Sequence, residues 1–262
     1  MNKRIFLIII TCITIVCIII GAAIHLRFTV PSFTSVGRTV SRAVRKSLDS
    51  ARNLDDDDYD FDEDIDIGIN DSVPGTHTFT NPLQEFDSIA IDANIMGVSV
   101  ERGNRFEISG SYSKEALKPS FSVSGGTLKI TQPKYRTKLV SNNNCKIVIT
   151  IPYGKPLESV DINVDVGAVA LKGIDLEDAQ IITDVGAVAI ENVEFRELDV
   201  KSDVGAVSVE LTHSVSEYNI DARSDIGAIQ INNSNVKRKY NSTGSTNKRI
   251  TVKTDVGGIE IK

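Results

Sequence analysis

The chain has 262 residues, 41% of them hydrophobic, with no Trp and a formal net charge of −6. That length holds one large domain or two small ones, and the acidic balance gives no global attraction to nucleic acid or anionic lipid. There are three cysteines, and Cys12 and Cys17 lie in the N-terminal apolar run. Only Cys145 remains outside it, so a disulfide framework is excluded. Cys145 opens the alternating run that continues Lys146-Ile147-Val148-Ile149, and it reads as a buried strand cysteine.

Residues 1–4 read as a cytoplasmic N-terminus and residues 5–26 as a transmembrane helix. Their core, IFLIIITCITIVCIIIGAAI over residues 5–24, is uncharged and follows Lys3 and Arg4. Twenty such residues cross a bilayer core of about 30 Å. A cleaved signal peptide is the alternative, with an apolar region usually shorter than this. The positive-inside rule pulls both ways, because Arg27, Arg38, Arg42, Arg45 and Lys46 follow the span. The C-terminal part is placed outside, because its β repeats resemble exported ones.

Residues 27–54 form a basic juxtamembrane segment. Within TSVGRTVSRAVRKSLDSAR, residues 34–52, Val36, Val40, Val44 and Leu48 recur every fourth residue against a largely cationic opposite face. This predicts a cationic amphipathic helix, in contact with lipid or standing as a solvated stalk. Residues 55–82 read as an acidic disordered linker, since DDDDYDFDEDIDIG repels itself. It lacks the fixed ligand spacing of a calcium loop.

Residues 83–262 read as one β domain. Strict alternation begins at Ile89, Ile91, Ala93 and Ile95, and period two means strands with one buried face. One heptapeptide then recurs: DVGAVAL at Asp165, DVGAVAI at Asp184, DVGAVSV at Asp203, DIGAIQI at Asp225 and DVGGIEI at Asp255. The spacings are 184 − 165 = 19, 203 − 184 = 19, 225 − 203 = 22 and 255 − 225 = 30. A degenerate copy, NIMGVSV, starts at Asn94. Such periods predict an all-β parallel β-solenoid with coils of about 20 residues. Each coil is expected to be strand, tight corner, strand and return loop. Val160, Ile162, Val164 and Val166 should point inward, as should Leu198, Val200, Ser202 and Val204, and Ile220, Ala222, Ser224 and Ile226. Gly167, Gly186, Gly205, Gly227 and Gly257 should turn the corners with positive φ.

The aspartate column Asp165, Asp184, Asp203, Asp225 and Asp255 has two readings. Asp beside a tight turn accepts from backbone N–H groups, and stacked carboxylates also suggest calcium. Turn-capping is preferred, because a hard-cation site wants six or more oxygens in one cluster. Lys201 and Arg223 sit between aspartates as charge partners. The second outer face, with Ala170, Ala189, Ser208, Gln230 and Glu260, is a flat strip fit for docking. The segment SNVKRKYNSTGSTNKR, residues 234–249, reads as an inserted loop. Its Lys237, Arg238, Lys239, Lys248 and Arg249 make it a candidate partner-binding loop for an acidic polymer, or a solvated loop. The last repeat ends at the terminal edge of the stack, where Glu260 and Lys262 discourage pairing and a partner could add a strand.

The stretch KIVITIPYGKPLESVDINVDVGAVAL, from Lys146 to Leu171, with the later repeats, resembles a bacterial adhesin-like β-strand-repeat family, a domain of unknown function. The match runs from about Phe86 to Lys262. It implies a β-solenoid, an extracytoplasmic place in the cell envelope and an N-terminal tether, and it supplies no ligand or active site. Three functions compete. The first is a membrane-anchored adhesion or scaffold module with a protein or cell-wall polymer as partner. The second is a sensory subunit of an envelope-stress system. The third is a β-helix enzyme acting on polysaccharide. The enzyme is disfavoured: His25, His77 and His213 sit in no nucleophile motif, and aspartates recurring at equivalent corners read as architecture. No cofactor, metal or nucleic acid is expected.

Overall fold

A computed structural model describes residues 76–133 and 144–262. The predicted transmembrane helix, the juxtamembrane segment and most of the acidic linker lie outside the described residues. Among the described residues no helix is long and apolar enough to cross a membrane. The described residues of the unit His77–Lys262 are all-β apart from two single 3-10 turns.

The strands in chain order are β1 (His77–Pro82), β2 (Ser88–Ile95), β3 (Gly97–Gly103), β4 (Glu107–Tyr112), β5 (Ser120–Ser124), β6 (Thr127–Thr131), β7 (Cys145–Pro152), β8 (Leu157–Val166), β9 (Val169–Lys172) and β10 (Leu176–Val185). Then follow β11 (Val188–Val193), β12 (Glu197–Val204), β13 (Val207–Leu211), β14 (Asn219–Ile226), β15 (Ile229–Ile231), β16 (Ser234–Val236), β17 (Lys239–Ser242), β18 (Arg249–Val256) and β19 (Ile259–Ile261). They make two sheets, ordered β1-β4-β7-β3-β9-β11-β13-β19-β15-β16 and β17-β14-β18-β12-β10-β8-β2-β6-β5. Each DVGAV-type motif joins a strand of the second sheet to one of the first. The degenerate Asn94 copy takes its place in the same frame, with Ile95 beside Val166 and Val98 beside Val169.

Equivalent positions of successive coils stand in parallel register. Alternation therefore stacks like on like. One inner column runs Ile91, Ile162, Ile181, Val200, Val252, Ala222, and the facing sheet supplies Val98, Val169, Val188, Val207, Ile259, Ile229, all of them buried. These aliphatic ladders are the core between the sheets. Cys145 at the start of β7 is 3% exposed, as the alternation predicts, and burial pushes its thiol up to about 12.

Four sequence expectations need correction. First, coil order in space is not coil order in the chain. The last repeat, β18 and β19, lies between β12/β13 and β14/β15. The terminal edge expected to stand open, with Glu260 and Lys262 on it, is thus an interior layer, and no strand can be added there. The connection from β13 steps over a coil position, which the longer repeat spacing of 22 against 19 accommodates. Second, residues 234–249 are not a simple loop. They contain β16 and β17, which pair antiparallel with β15 and β14 and close that end of the stack. Third, the fold is not purely parallel. At the other end β5 pairs antiparallel with β6, and β4 with β7 and β1. Antiparallel strands at both ends cover edges that would otherwise template aggregation. Fourth, residues 77–82, assigned to the linker, form β1. Phe79 draws them onto the fold, its ring 5.9 Å from that of Phe121 and 6.4 Å from that of Tyr112.

The core position of Cys145 gives a direct check. With the full chain folded at pH 8, peptide mapping should show Cys145 unmodified by iodoacetamide, and chemical denaturation should expose it to rapid alkylation. Rapid modification of the folded protein would contradict its place in β7.

Candidate binding surface

The corner is where each coil touches the next most closely. A Cβ added at Gly186 would lie 1.6 Å from the Gly167 carbonyl oxygen, at Gly205 1.7 Å from that of Gly186, at Gly257 1.7 Å from that of Gly205, and at Gly227 1.8 Å from that of Gly257. Gly186, Gly205 and Gly227 do not have positive φ. At these three corners glycine serves close backbone approach and not the positive φ expected from the sequence, which Gly167 and Gly257 keep at 158° and 159°. The approach carries a hydrogen-bond ladder. Gly167 N–H donates to Val185 O at 3.0 Å, Gly186 N–H to Val204 O at 2.9 Å, Gly205 N–H to Val256 O at 2.9 Å and Gly257 N–H to Ile226 O at 2.9 Å. The inward hydroxyls before Asp203, Asp225 and Asp255 support it, while the buried Thr183 hydroxyl has no hydrogen-bond partner among the described residues. Ser224 Oγ donates to Gly257 O at 2.9 Å and Ser202 Oγ to Gly186 O at 3.4 Å.

That ladder takes the Gly167, Gly186, Gly205 and Gly257 N–H groups, so Asp165, Asp184, Asp203 and Asp255 do not cap them. Asp165 accepts instead from Asn94 Nδ2 at 2.6 Å and Asp203 pairs with Lys201 at 3.1 Å. Arg223 binds Asp221, at 3.0 and 2.9 Å, and makes no ion pair with Asp225. The Arg223 hydrogen bond outweighs burial and holds the Asp221 carboxyl below its ordinary value. Among the described residues no three His, Cys, Asp or Glu side chains gather as a metal site.

A second surprise lies one residue on. Val166, Val204 and Ile226, expected to point inward, line the outside of the corner, because the chain starts to turn there and alternation lapses. Val166 is 37% exposed, Val185 48% and Ile226 59%, while Ile95, Val204 and Val256 are half-buried. In stack order they form an aliphatic ridge, Ile95-Val166-Val185-Val204-Val256-Ile226. At about 4.8 Å per coil the ridge is about 24 Å long, and the aspartate column runs beside it. Alternation alone could not reveal it; five aliphatic residues placed after five aspartates were the available signal. The strip of Ala170, Ala189, Ser208, Gln230 and Glu260 is less open than expected, since Ala170 is buried.

The five cations of residues 234–249 do not act together. Lys248 binds Glu194 and lies 5.5 Å over the Tyr218 ring, and Arg249 reaches Glu197 at 3.8 Å. Both fasten the start of the inserted β18 to neighbouring coils. Lys237, Arg238 and Lys239 instead line an open cavity of about 490 Å³ with Gly227 and Val236. Around Glu194 a polar cluster closes, with Thr212 Oγ1 donating at 2.6 Å and His213 Nε2 lying 3.0 Å from the same carboxylate oxygen.

The sequence pattern of one family covers the stack from β2 onward. Toastrack DUF4097 matches residues 86–262. The chain belongs to the Toastrack DUF4097 family. None of the curated proteins matches the chain. Among solved structures, a candidate cell adhesion protein from Clostridium sporogenes shares 19% identity and a TM-score of 0.60, covering 71% of this chain and 99% of its own. A candidate adhesin from Bacteroides fragilis shares 17% identity at a TM-score of 0.38, covering 71% of this chain and 97% of its own. At these identities the first likeness concerns the fold.

For this Toastrack domain two outcomes follow. Gly186→Ala should cost at least about 3 kcal/mol, since backbone cannot yield as a side chain does. Asp184→Asn should stay within about 0.5 kcal/mol at an exposed, unpaired position. Urea unfolding of the two variants checks the contrast; a mild Gly186→Ala would mean the corners do not touch. The second concerns acid. Burial pushes the Glu194 carboxyl up, but the hydrogen bonds from Lys248 and Thr212 together outweigh it and hold the group below its ordinary value of 4.5. A depressed carboxyl contributes stability that is full above that value and lost as pH falls through the lower folded one. Because Glu194 is over a third exposed, solvent screening makes the contribution small. Melting temperature against pH should fall less steeply below pH 4.5 in Glu194→Gln than in the unaltered chain. Parallel curves would remove Glu194 from the acid response.

Proposed function

We propose that the chain is a membrane-anchored, extracytoplasmic, non-catalytic module of the bacterial cell envelope that serves adhesion or scaffolding. The observation that carries this reading is the ridge Ile95-Val166-Val185-Val204-Val256-Ile226. Monomeric proteins seldom leave a contiguous aliphatic strip in water, and such strips mark interaction sites. The flanking Asp165, Asp184, Asp203, Asp255 and Asp225 favour a protein partner that sets cations beside its own aliphatic residues. The naming of the Clostridium sporogenes protein for cell adhesion agrees with this. The apolar run at residues 5–24 supports the tether.

The test uses the full chain in its native membrane with Val166→Lys and Val185→Lys together. A photo-crosslinker near the ridge should capture a partner in the unaltered chain and lose it in the variant, with the melting temperature unchanged because both side chains reach solvent. An undiminished crosslinked product would overturn the ridge as the binding surface. Protease added to spheroplasts should digest the Toastrack domain; full protection would overturn the extracytoplasmic placement.

A further inference from the structure

The corner ladder has a direction, and that direction creates an unfilled position at one end. Each corner glycine donates its N–H toward the next coil, from Gly167 through Gly186 and Gly205 to Gly257. Gly227 belongs to the last coil of the stack, since β14 and β15 pair beyond β18 and β19 only with the antiparallel strands β17 and β16. No further carbonyl follows. Among the described residues the Gly227 N–H has no acceptor, and it is exposed. The turn between β16 and β17 carries the chain past this corner, tied to it where Ser224 N–H donates to Arg238 O at 3.0 Å. That turn is Lys237 and Arg238, Lys239 opens β17 directly after it, and the three cations line the same open cavity as Gly227.

None of the three has an ion-pair partner among the described residues. The nearby carboxylates are Asp221, already held by Arg223 and in the field of Lys239, and Asp225, which pairs with none of them. A backbone donor where the ladder runs out, beside a guanidinium and two ammonium groups, is the donor set of an oxyanion site. The geometry points to a phosphate-binding site at this end of the solenoid, in which a phosphate oxygen accepts from Gly227 N–H in place of the missing coil's carbonyl. The Arg238 guanidinium and the Lys237 and Lys239 ammonium groups hold the remaining oxygens. The ligand class is a phosphomonoester or phosphodiester, free or in a lipid headgroup. The site is distinct from the ridge partner and does not depend on an adhesive role.

The test uses the full chain in nanodiscs of neutral lipid, with sn-glycerol 3-phosphate as probe at constant ionic strength set by chloride. Calorimetry should show saturable binding, and hydrogen exchange at the peptide containing Gly227 should slow at saturation. Arg238→Gln should weaken binding about tenfold, the loss of a charge-assisted hydrogen bond. Arg105→Gln, an exposed cation elsewhere, should leave it unchanged. Absence of saturable binding, unaltered exchange at Gly227, or equal weakening by both variants would each overturn the site. Repeating the titration with phosphatidylglycerol in the disc identifies the source. An Arg238-dependent fall in apparent affinity supports the site with a lipid headgroup as occupant, and an unchanged affinity supports it with a soluble phosphate.

Discussion

Everything in this fold depends on how closely two backbones approach at the corner. From Gly167 through Gly186 and Gly205 to Gly257 a glycine N–H meets a carbonyl of the next coil, and the space left beside it is smaller than a methyl group. A flat sheet holds its strands at one spacing, but a corner must keep that spacing while the chain turns. Where a neighbouring coil's carbonyl faces the Cβ position, from Gly167 to Gly227, only a residue without Cβ lets the ladder run through the bend, whereas Met96 in the first coil donates to Val166 O at 3.0 Å with its side chain in place. The Ser202, Ser224 and Thr254 hydroxyls inside the bend reinforce it, and the small residue after the glycine keeps the bend tight. Once the corner is fixed, the register of both flanking strands is fixed too, and the Ile and Val ladders of the core fall into line.

Because the corners are nearly identical, they do not by themselves say which coil should lie against which. The pairing of β18 with both β12 and β14 shows another determinant. Lys248 on Glu194 and Arg249 against Glu197 bring the returning strand to its slot, while residues 212–218 give the preceding connection the reach to step over it. These ion pairs are partly exposed and modest in energy. Their role is selection among layers that the apolar core would accept almost equally. A stack whose central layer comes last in the chain also has sequence-distant contacts there, which slow folding.

The same geometry explains where function can reside. The interior is closed by aliphatic ladders, so recognition belongs to the outside of the corner and to the ends. On the corner, the residue after each aspartate leaves the core because the chain has begun to turn, and a pattern built for packing yields an exposed ridge. At the end, the ladder simply stops, and an N–H remains where the next coil would have supplied a carbonyl. The strands β16 and β17 cover the edges of the two sheets there, and the cationic turn between them leaves that donor in the open.

Much of this could be read from the residues. Period-two alternation gave the strands, the five heptapeptides gave the coils, and the buried face of β8, β10, β12 and β14 follows alternation up to the aspartate. The family resemblance from Lys146 onward agrees with the match over residues 86–262. These features are local, set by which side of a strand each residue faces and by how small a corner residue must be. The order of the layers, the turn of Val166 and Ile226 to solvent, and the division of five cations into two fasteners and three cavity residues were decided only in the tertiary structure. They depend on contacts between residues tens of positions apart, such as Lys248 with Glu194. A repeated motif, offering every coil the same neighbours, carries no local sign of such a choice.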